Sequence, residues 1–421
     1  MNRVALCLSR AIARVTGSAL GPYQTAVVRI GFAATWLLFL LREYPHRQEL
    51  YGPDGPWDFG LAQRLTADNH AFTALLASDG QAFFEAFYAL AVLTSALLLV
   101  GWRTRTMSVL FMVGVLSLQN RSVFVGDGGD NVLHLMSFYL VFTRCGQVWS
   151  LDARRAARAR AEQEQEQEQE QEQEQEQEQE QEKEQRPGTD LVGPALWTVS
   201  GVLLVAAALT GRSGGGWLVP AVLWGTWAGT ALRWAVGRWA RSAEPRILLD
   251  VVADVLHNGA LFVIMAEACL IYATAGWYKI QGSRWQDGTA VYYPLHLDYF
   301  SPWPALADLL SASGTLVLLV TYGTVIVQVA FPFTLFNRRV KNVLLAAMMT
   351  EHAVIAVVLG LPFFSLAMIA ADSVFLPTAF LLWLGGRAAR ARDRVLGRGA
   401  PALPSARSPE ADERPRVGFG A

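Results

Sequence analysis

The sequence is poor in charge. Only 17% of its 421 residues are Asp, Glu, Lys or Arg, against roughly 25% in a soluble domain. In their place stand hydrophobic residues, 52% of the chain, with 14 Trp and 21 Phe, so lipid is the expected solvent. Cysteine is scarce as well. Cys7, Cys145 and Cys269 are far apart, which excludes a disulfide framework, a CxxC redox pair and a zinc-ligand spacing. The apolar stretch Val4 to Leu8 is cut off by Arg10 and Arg14 before an h-region develops, so no cleaved signal peptide is expected. A nucleotide-binding loop, a Ser-His-Asp arrangement and a nucleic-acid patch are also lacking.

What the chain has is a series of long apolar stretches. Crossing the hydrocarbon layer takes about 20 mostly apolar residues, and such stretches lie at 24–41, 82–101, 105–120, 131–149, 191–210, 217–236, 259–279, 313–336, 342–360 and 362–384. The sequence thus predicts an all-α polytopic transmembrane bundle of about ten spans. Orientation follows from arginine and lysine in the connections. Basic residues precede the first span (Arg3, Arg10, Arg14), join the second to the third (Arg103, Arg105) and follow the fourth (Arg154, Arg155, Arg158, Arg160). They follow the sixth, eighth and tenth as well, at Arg238, Arg241 and Arg246, at Arg338, Arg339 and Lys341, and at Arg387, Arg390 and Arg392. Every second connection is basic, although Arg42, Arg47 and Arg64 run against the pattern. Both termini are expected in the cytoplasm, and the protein in the plasma membrane.

The formal net charge of −1 hides a split. A Glu-Gln repeat between Glu162 and Glu184 holds 12 of the 36 acidic residues, which leaves 35 basic against 24 acidic elsewhere. Glutamates two and four residues apart repel one another on a helix, so the repeat is expected to be a mobile or marginally helical cytoplasmic linker. The tail after Gly399, rich in Pro, Ser and charge, is expected to be disordered.

Two polar stretches fall on the outer side of this topology. The first runs from Gln119-Asn120-Arg121 to Gly126-Asp127-Gly128-Gly129-Asp130-Asn131. Its glycines permit positive φ or close approach. Asp127 and Asp130 could bind a cation, bond neighbouring backbone or cap the fourth span, and the plain expectation is a tight turn with Asp130 or Asn131 as N-cap. It is too poor in carboxylates for a calcium loop. The second, Gly276 to Gly288, carries Lys279, Trp285 and Asp287, and a lysine where a helix leaves the membrane has snorkelling as its simplest role.

Ionisable residues at membrane depth are costly unless paired or in a wet cavity. Arg29, Glu267, Glu351, His352 and Asp372 are of this kind. Glu267 lies 12 residues before Lys279, about 18 Å deeper. Glu351 and His352 are adjacent, so they point about 100° apart and face different neighbours. Interhelical hydrogen bonding is the expected role of each. His134 is within reach of the outer polar stretch.

These residues carry a family resemblance. Asn120-Arg121, Asp127-Gly128-Gly129-Asp130, Trp149-Ser150-Leu151-Asp152, Lys279 with Gly282, Trp285, Asp287 and Gly288, then His352 and Phe363-Phe364-Ser365, resemble in their order the HTTM (horizontally transferred transmembrane) domain family. That family is related to the vitamin K-dependent γ-carboxylase and to SdpB-type proteins of peptide-toxin maturation. The resemblance divides the chain into two HTTM-like parts, 15–152 and 259–384, a linker at 153–190, an inserted pair of spans at 191–258 and a cytoplasmic tail at 385–421. It implies that Lys279 is the base towards a reduced quinone, in a pocket completed by Trp285, Asp287, Asp127 and Asp130. A peptide or protein substrate is implied too. Burial would favour a neutral, proton-accepting amine. Two departures limit the inference to a shared scaffold: Gly129 stands where the carboxylase has a functional histidine, and no large extracytoplasmic domain is evident. The alternative is a non-enzymatic membrane component, either a maturation or export accessory or a transporter with a path marked by Glu267 and Glu351.

Overall fold

The structure, a computed structural model, describes residues 3–174, 192–210, 216–240 and 242–395. Among these it is all-helical, without a strand. The long helices are α1 (Arg3–Gly17), α2 (Pro22–Glu43), α3 (Gln81–Val100), α4 (Thr104–Arg121), α5 (Gly128–Leu140), α6 (Leu151–Glu174) and α7 (Val192–Thr210). They continue with α8 (Leu218–Trp239), α9 (Glu244–Gln281), α10 (Gly314–Ala330), α11 (Arg338–Val358), α12 (Pro362–Asp372) and α13 (Thr378–Val395).

Local chemistry sets many of the helix ends. Pro22, with its fixed φ and no N–H to satisfy, opens α2 after Gly21, which takes the left-handed conformation that glycine tolerates. Gly101, at φ 74°, closes α3, its N–H and that of Trp102 bonding the carbonyls of Leu98 and Leu97, a glycine C-cap. Ser313 and Asn337 cap α10 and α11 by accepting from backbone N–H groups of their first turns.

The core runs through α2, α3, α4, α5, α9, α11 and α12, and is filled by Phe32, Trp36, Phe84, Tyr88, Phe111, Met136, Ile264, Tyr272, Met348 and Met368, with Phe331 and Phe375 just past helix ends. The opposite faces of these and the flanking helices are equally apolar. Leu38, Leu93, Leu203, Phe262, Leu319, Val343 and Val357 are all exposed, and hydrophobic surface on that scale marks contact with a membrane rather than with water.

Among the described residues, six helical stretches are long and apolar enough to cross a membrane: Pro22–Tyr51, Gln81–Val100, Val192–Thr210, Glu244–Gln281, Gly314–Thr334 and Arg338–Val358. The molecule therefore has the make-up of a multi-pass membrane protein. The other four stretches read from the sequence are helical in different ways. Those at 105–120 and 217–236 are α4 and α8. In the 131–149 stretch the helix ends at Leu140, followed by turns up to Ser150. In 362–384, α12 ends at Asp372 and passes through a 3₁₀ turn, Ser373–Phe375, before Pro377.

The Arg-rich start of the linker and the first part of the repeat continue as α6 to Glu174. Residues 175–190 and the tail from 396 lie outside the described residues. In α13, Arg387 stacks over the Trp383 ring at 4.7 Å. The division between 258 and 259 falls inside α9, which is continuous for 38 residues. At 1.5 Å per residue such a helix is about 57 Å long, well beyond the roughly 30 Å hydrocarbon core. No break occurs at 258 because the polar residues there are satisfied by neighbours. Asp254 pairs with Arg144, His257 accepts from the Arg144 N–H at 2.7 Å, and Asn258 bonds the Val15 and Ser18 carbonyls and the Leu20 N–H.

Candidate functional site

Lys279 lies in the last turn of α9. Around it the aromatic rings of Trp277 and Tyr278 are exposed. The amine does not follow them outward. Its Nζ donates to Oε1 of Gln328 on α10 at 2.5 Å, and Nε2 of the same amide donates to Oε1 of Glu351 on α11 at 2.8 Å. Gln328 is buried, and Gly276, one turn before Lys279, lets α9 approach Val329 of α10 closely.

Trp285 sits in a short helix, Ser283–Gln286, directly after α9, with its ring centre 5.2 Å from the Lys279 amine. The turn is braced by Gln286, which donates to the Ile280 carbonyl at 2.9 Å, and by the Tyr322 hydroxyl, which donates to the Gln286 carbonyl at 2.7 Å. Asp287 has partners of its own. It accepts from the Thr289 hydroxyl and N–H and pairs with Arg284 at 3.5 Å, and the hydroxyl contact holds its carboxyl below the usual range.

Beside Glu351, His352 turns to a different set of partners, as the 100° offset requires. Its Nε2 is 3.0 Å from the Tyr272 hydroxyl, which donates to Oδ2 of Asp372 at 2.9 Å. These residues join α9, α11 and α12. Glu267 accepts from the Tyr139 hydroxyl at 3.2 Å, and Arg29 donates to the Trp149 carbonyl at 2.7 Å.

The Asp127–Asp130 turn is a capping box. Asp127, not Asp130 or Asn131, is the N-cap of α5: its Oδ1 accepts from Gly129 and Asp130, while Asp130 Oδ2 accepts from the Asp127 N–H at 2.8 Å. The cap falls earlier than expected because Asp130 at the third helical position completes the reciprocal pair. Gln119 donates to the Asp130 carbonyl at 3.1 Å, and His134 Nδ1 is 3.1 Å from Gln119 Oε1. Burial pushes the Asp130 carboxyl up to about 6. Gly129 lies against the Phe364 backbone, and Phe364 meets His352 edge-on at 5.5 Å.

The five site residues read from the sequence thus fall into separate settings. Lys279 and Trp285 are together, whereas neither Asp287 nor the Asp127–Asp130 turn makes a hydrogen bond or ion pair to Lys279 among the described residues. Sequence reasoning missed Gln328 and Tyr272. A lone amide within the apolar 313–336 stretch was the available signal for the first; a tyrosine among apolar residues gives none. No protein-family model matches the chain, and neither a characterised protein nor a solved structure is significantly similar to it.

Proposed function

We propose that this is an HTTM-type integral membrane protein of about ten spans, with both termini in the cytoplasm, acting as a membrane enzyme through an outward-facing pocket around Lys279. The observation that carries the reading is the inward turn of the Lys279 amine onto Gln328 and Glu351, where a snorkelling lysine would extend to the interface. Trp285 supplies an aromatic face beside the amine, suited to a flat lipophilic molecule. Trp285 and Gln328 would hold a reduced quinone, whose chemistry when bound is to supply an acidic hydroxyl and reducing electrons. Lys279 in neutral form accepts the proton at Nζ, Gln328 fixes the direction of the amine, and Glu351 balances the ammonium that results. A peptide or protein substrate would approach from the outer side.

A second reading, a transporter, is favoured by the line of polar groups that Lys279, Gln328 and Glu351 draw from the helix end into the bundle. Mass spectrometry of lipophilic molecules retained by the purified protein separates the two: a bound quinone is expected for the enzyme, and substrate-dependent ion flux in liposomes without one would favour transport. Arginine stays protonated, so Lys279→Arg and Lys279→Ala are both expected to insert normally and abolish the cellular phenotype. An active Lys279→Arg protein would overturn the base role. For the orientation, a cysteine placed at Asp127 is expected to react with an impermeant reagent in intact cells, and labelling only after permeabilisation would reverse it.

A further inference from the structure

The His352–Tyr272–Asp372 cluster is used by neither reading. All three side chains are buried deep in the bundle, at 3%, 2% and 0% exposure. The Tyr272 hydroxyl stands between an imidazole nitrogen at 3.0 Å and a carboxylate oxygen at 2.9 Å. Both ends of this line are open: His352 Nδ1 and Asp372 Oδ1 have no hydrogen-bond partner among the described residues, and neither has the Ser365 hydroxyl, two turns before Asp372 on α12. A cluster that served only to hold helices together would be expected to satisfy such atoms, because a buried polar atom without a partner is costly.

We propose that His352, Tyr272 and Asp372 form a proton-exchange site inside the bundle. Its ligand is a proton, moved between the imidazole and the carboxyl through the Tyr272 hydroxyl. With His352 doubly protonated and Asp372 ionised, the Nε2–H bond breaks as an O–H bond forms on Tyr272. The original Tyr272 O–H bond breaks as one forms on Asp372 Oδ2. The products are a neutral imidazole, an unchanged tyrosine and a carboxylic acid. Both states carry the same net charge, so the transfer avoids placing an uncompensated charge in low dielectric. The imidazole takes up its second proton at the open Nδ1, and release at the open Oδ1 position follows rotation of the Asp372 carboxyl, which carries its proton over from the Tyr272 side.

Other titratable groups surround the site. Glu351 and Lys279 are the charged groups whose fields reach it, and Cys269 of α9 lies near Asp372. From the other packed elements, Arg29 of α2 is turned to the Trp149 carbonyl, Asp130 and His134 of α5 to Gln119, and Lys341 of α11 to the Phe375 carbonyl.

The test is infrared difference spectroscopy on the full-length protein, with carboxyl-labelled aspartate, over a pH titration. A carboxylic-acid C=O band that changes with pH is expected in the wild type, absent in Asp372→Asn and shifted in Tyr272→Phe. Tyr272→Phe keeps the ring packed on Phe331 and removes only the hydroxyl, so it reads the site even if Asp372→Asn does not fold. A band untouched by Tyr272→Phe belongs to another aspartate, such as Asp130, and overturns the proposal. So does the lack of any titrating aspartic-acid band, which would leave the cluster a structural contact.

Discussion

The Lys279 amine and the Gln328 amide oxygen stand 2.5 Å apart across the α9–α10 contact, and this pair decides where the lysine amine lies. An amide presents an acceptor and a donor at once. Gln328 is therefore one of the few side chains able to serve an amine and a carboxylate together. Gln328→Leu should leave both Lys279 and Glu351 without their shared partner. Interhelical hydrogen bonds in membranes average about 0.6 kcal/mol and reach about 1.7 kcal/mol; a buried bond to an amide that also serves Glu351 is expected in the middle of that range. A double-mutant cycle of Lys279→Met and Gln328→Leu, read by unfolding in detergent, should return a coupling of about 1 kcal/mol. Additive effects of the two changes would mean that the amine does not rest on Gln328.

The difference in legibility between bundle and site has a physical cause. Apolar length is a local property, so α2, α3, α7, α10 and α11 could be placed within a few residues from sequence. Hydrogen bonding between helices is not local. Nothing along the chain says that Tyr272 lies between His352 and Asp372, 80 and 100 residues away, and the same holds for Lys279 and Gln328. Adjacent residues were easier: the helical offset alone separated the partners of Glu351 from those of His352. The capping turn shows the limit within one motif, since Asp-Gly-Gly-Asp announced a cap but not which aspartate holds it.

Gly129 is needed for close packing, not for an unusual backbone angle. It is absent from the positive-φ residues, yet a Cβ there would come within 2.6 Å of Phe364 Cα. Backbone cannot swing aside as a flexible side chain can, so α5 and α12 would have to separate. Gly129→Ala is expected to destabilise by about 1–3 kcal/mol, the usual cost of overpacking. Gly126→Ala is the control: its nearest neighbour, the Asp130 side chain, is 3.6 Å away, and little change is expected. The midpoints of thermal unfolding in one detergent compare the two, and equal stability of both variants would show that the α5–α12 approach is looser than described.

Asp152 closes the Trp149-Ser150-Leu151-Asp152 segment and makes a distant cap. Its carboxylate accepts from the N–H groups of Arg103 and Thr104 at 2.8 and 2.7 Å and from the Thr104 hydroxyl at 3.0 Å, while its own N–H donates to the Gly101 carbonyl at 3.0 Å. The first turn of α4 has no acceptor of its own, because Arg103 at its N-cap takes φ 45° and offers no side-chain oxygen. Orphan N–H groups at a helix start need a partner, and here it comes from the start of α6. Removing a capping aspartate costs about 0.5–2 kcal/mol. With three donors served by one carboxylate, Asp152→Ala should reach the top of that range. Asp152→Asn keeps one acceptor oxygen and should fall between Ala and the wild type. Thermal unfolding should therefore rank wild type above Asn and Asn above Ala, with the Lys279–Gln328 coupling unchanged in all three. An alanine variant as stable as the wild type would show that α4 begins without this cap and that the segment is held by the Arg29 contact to Trp149 instead.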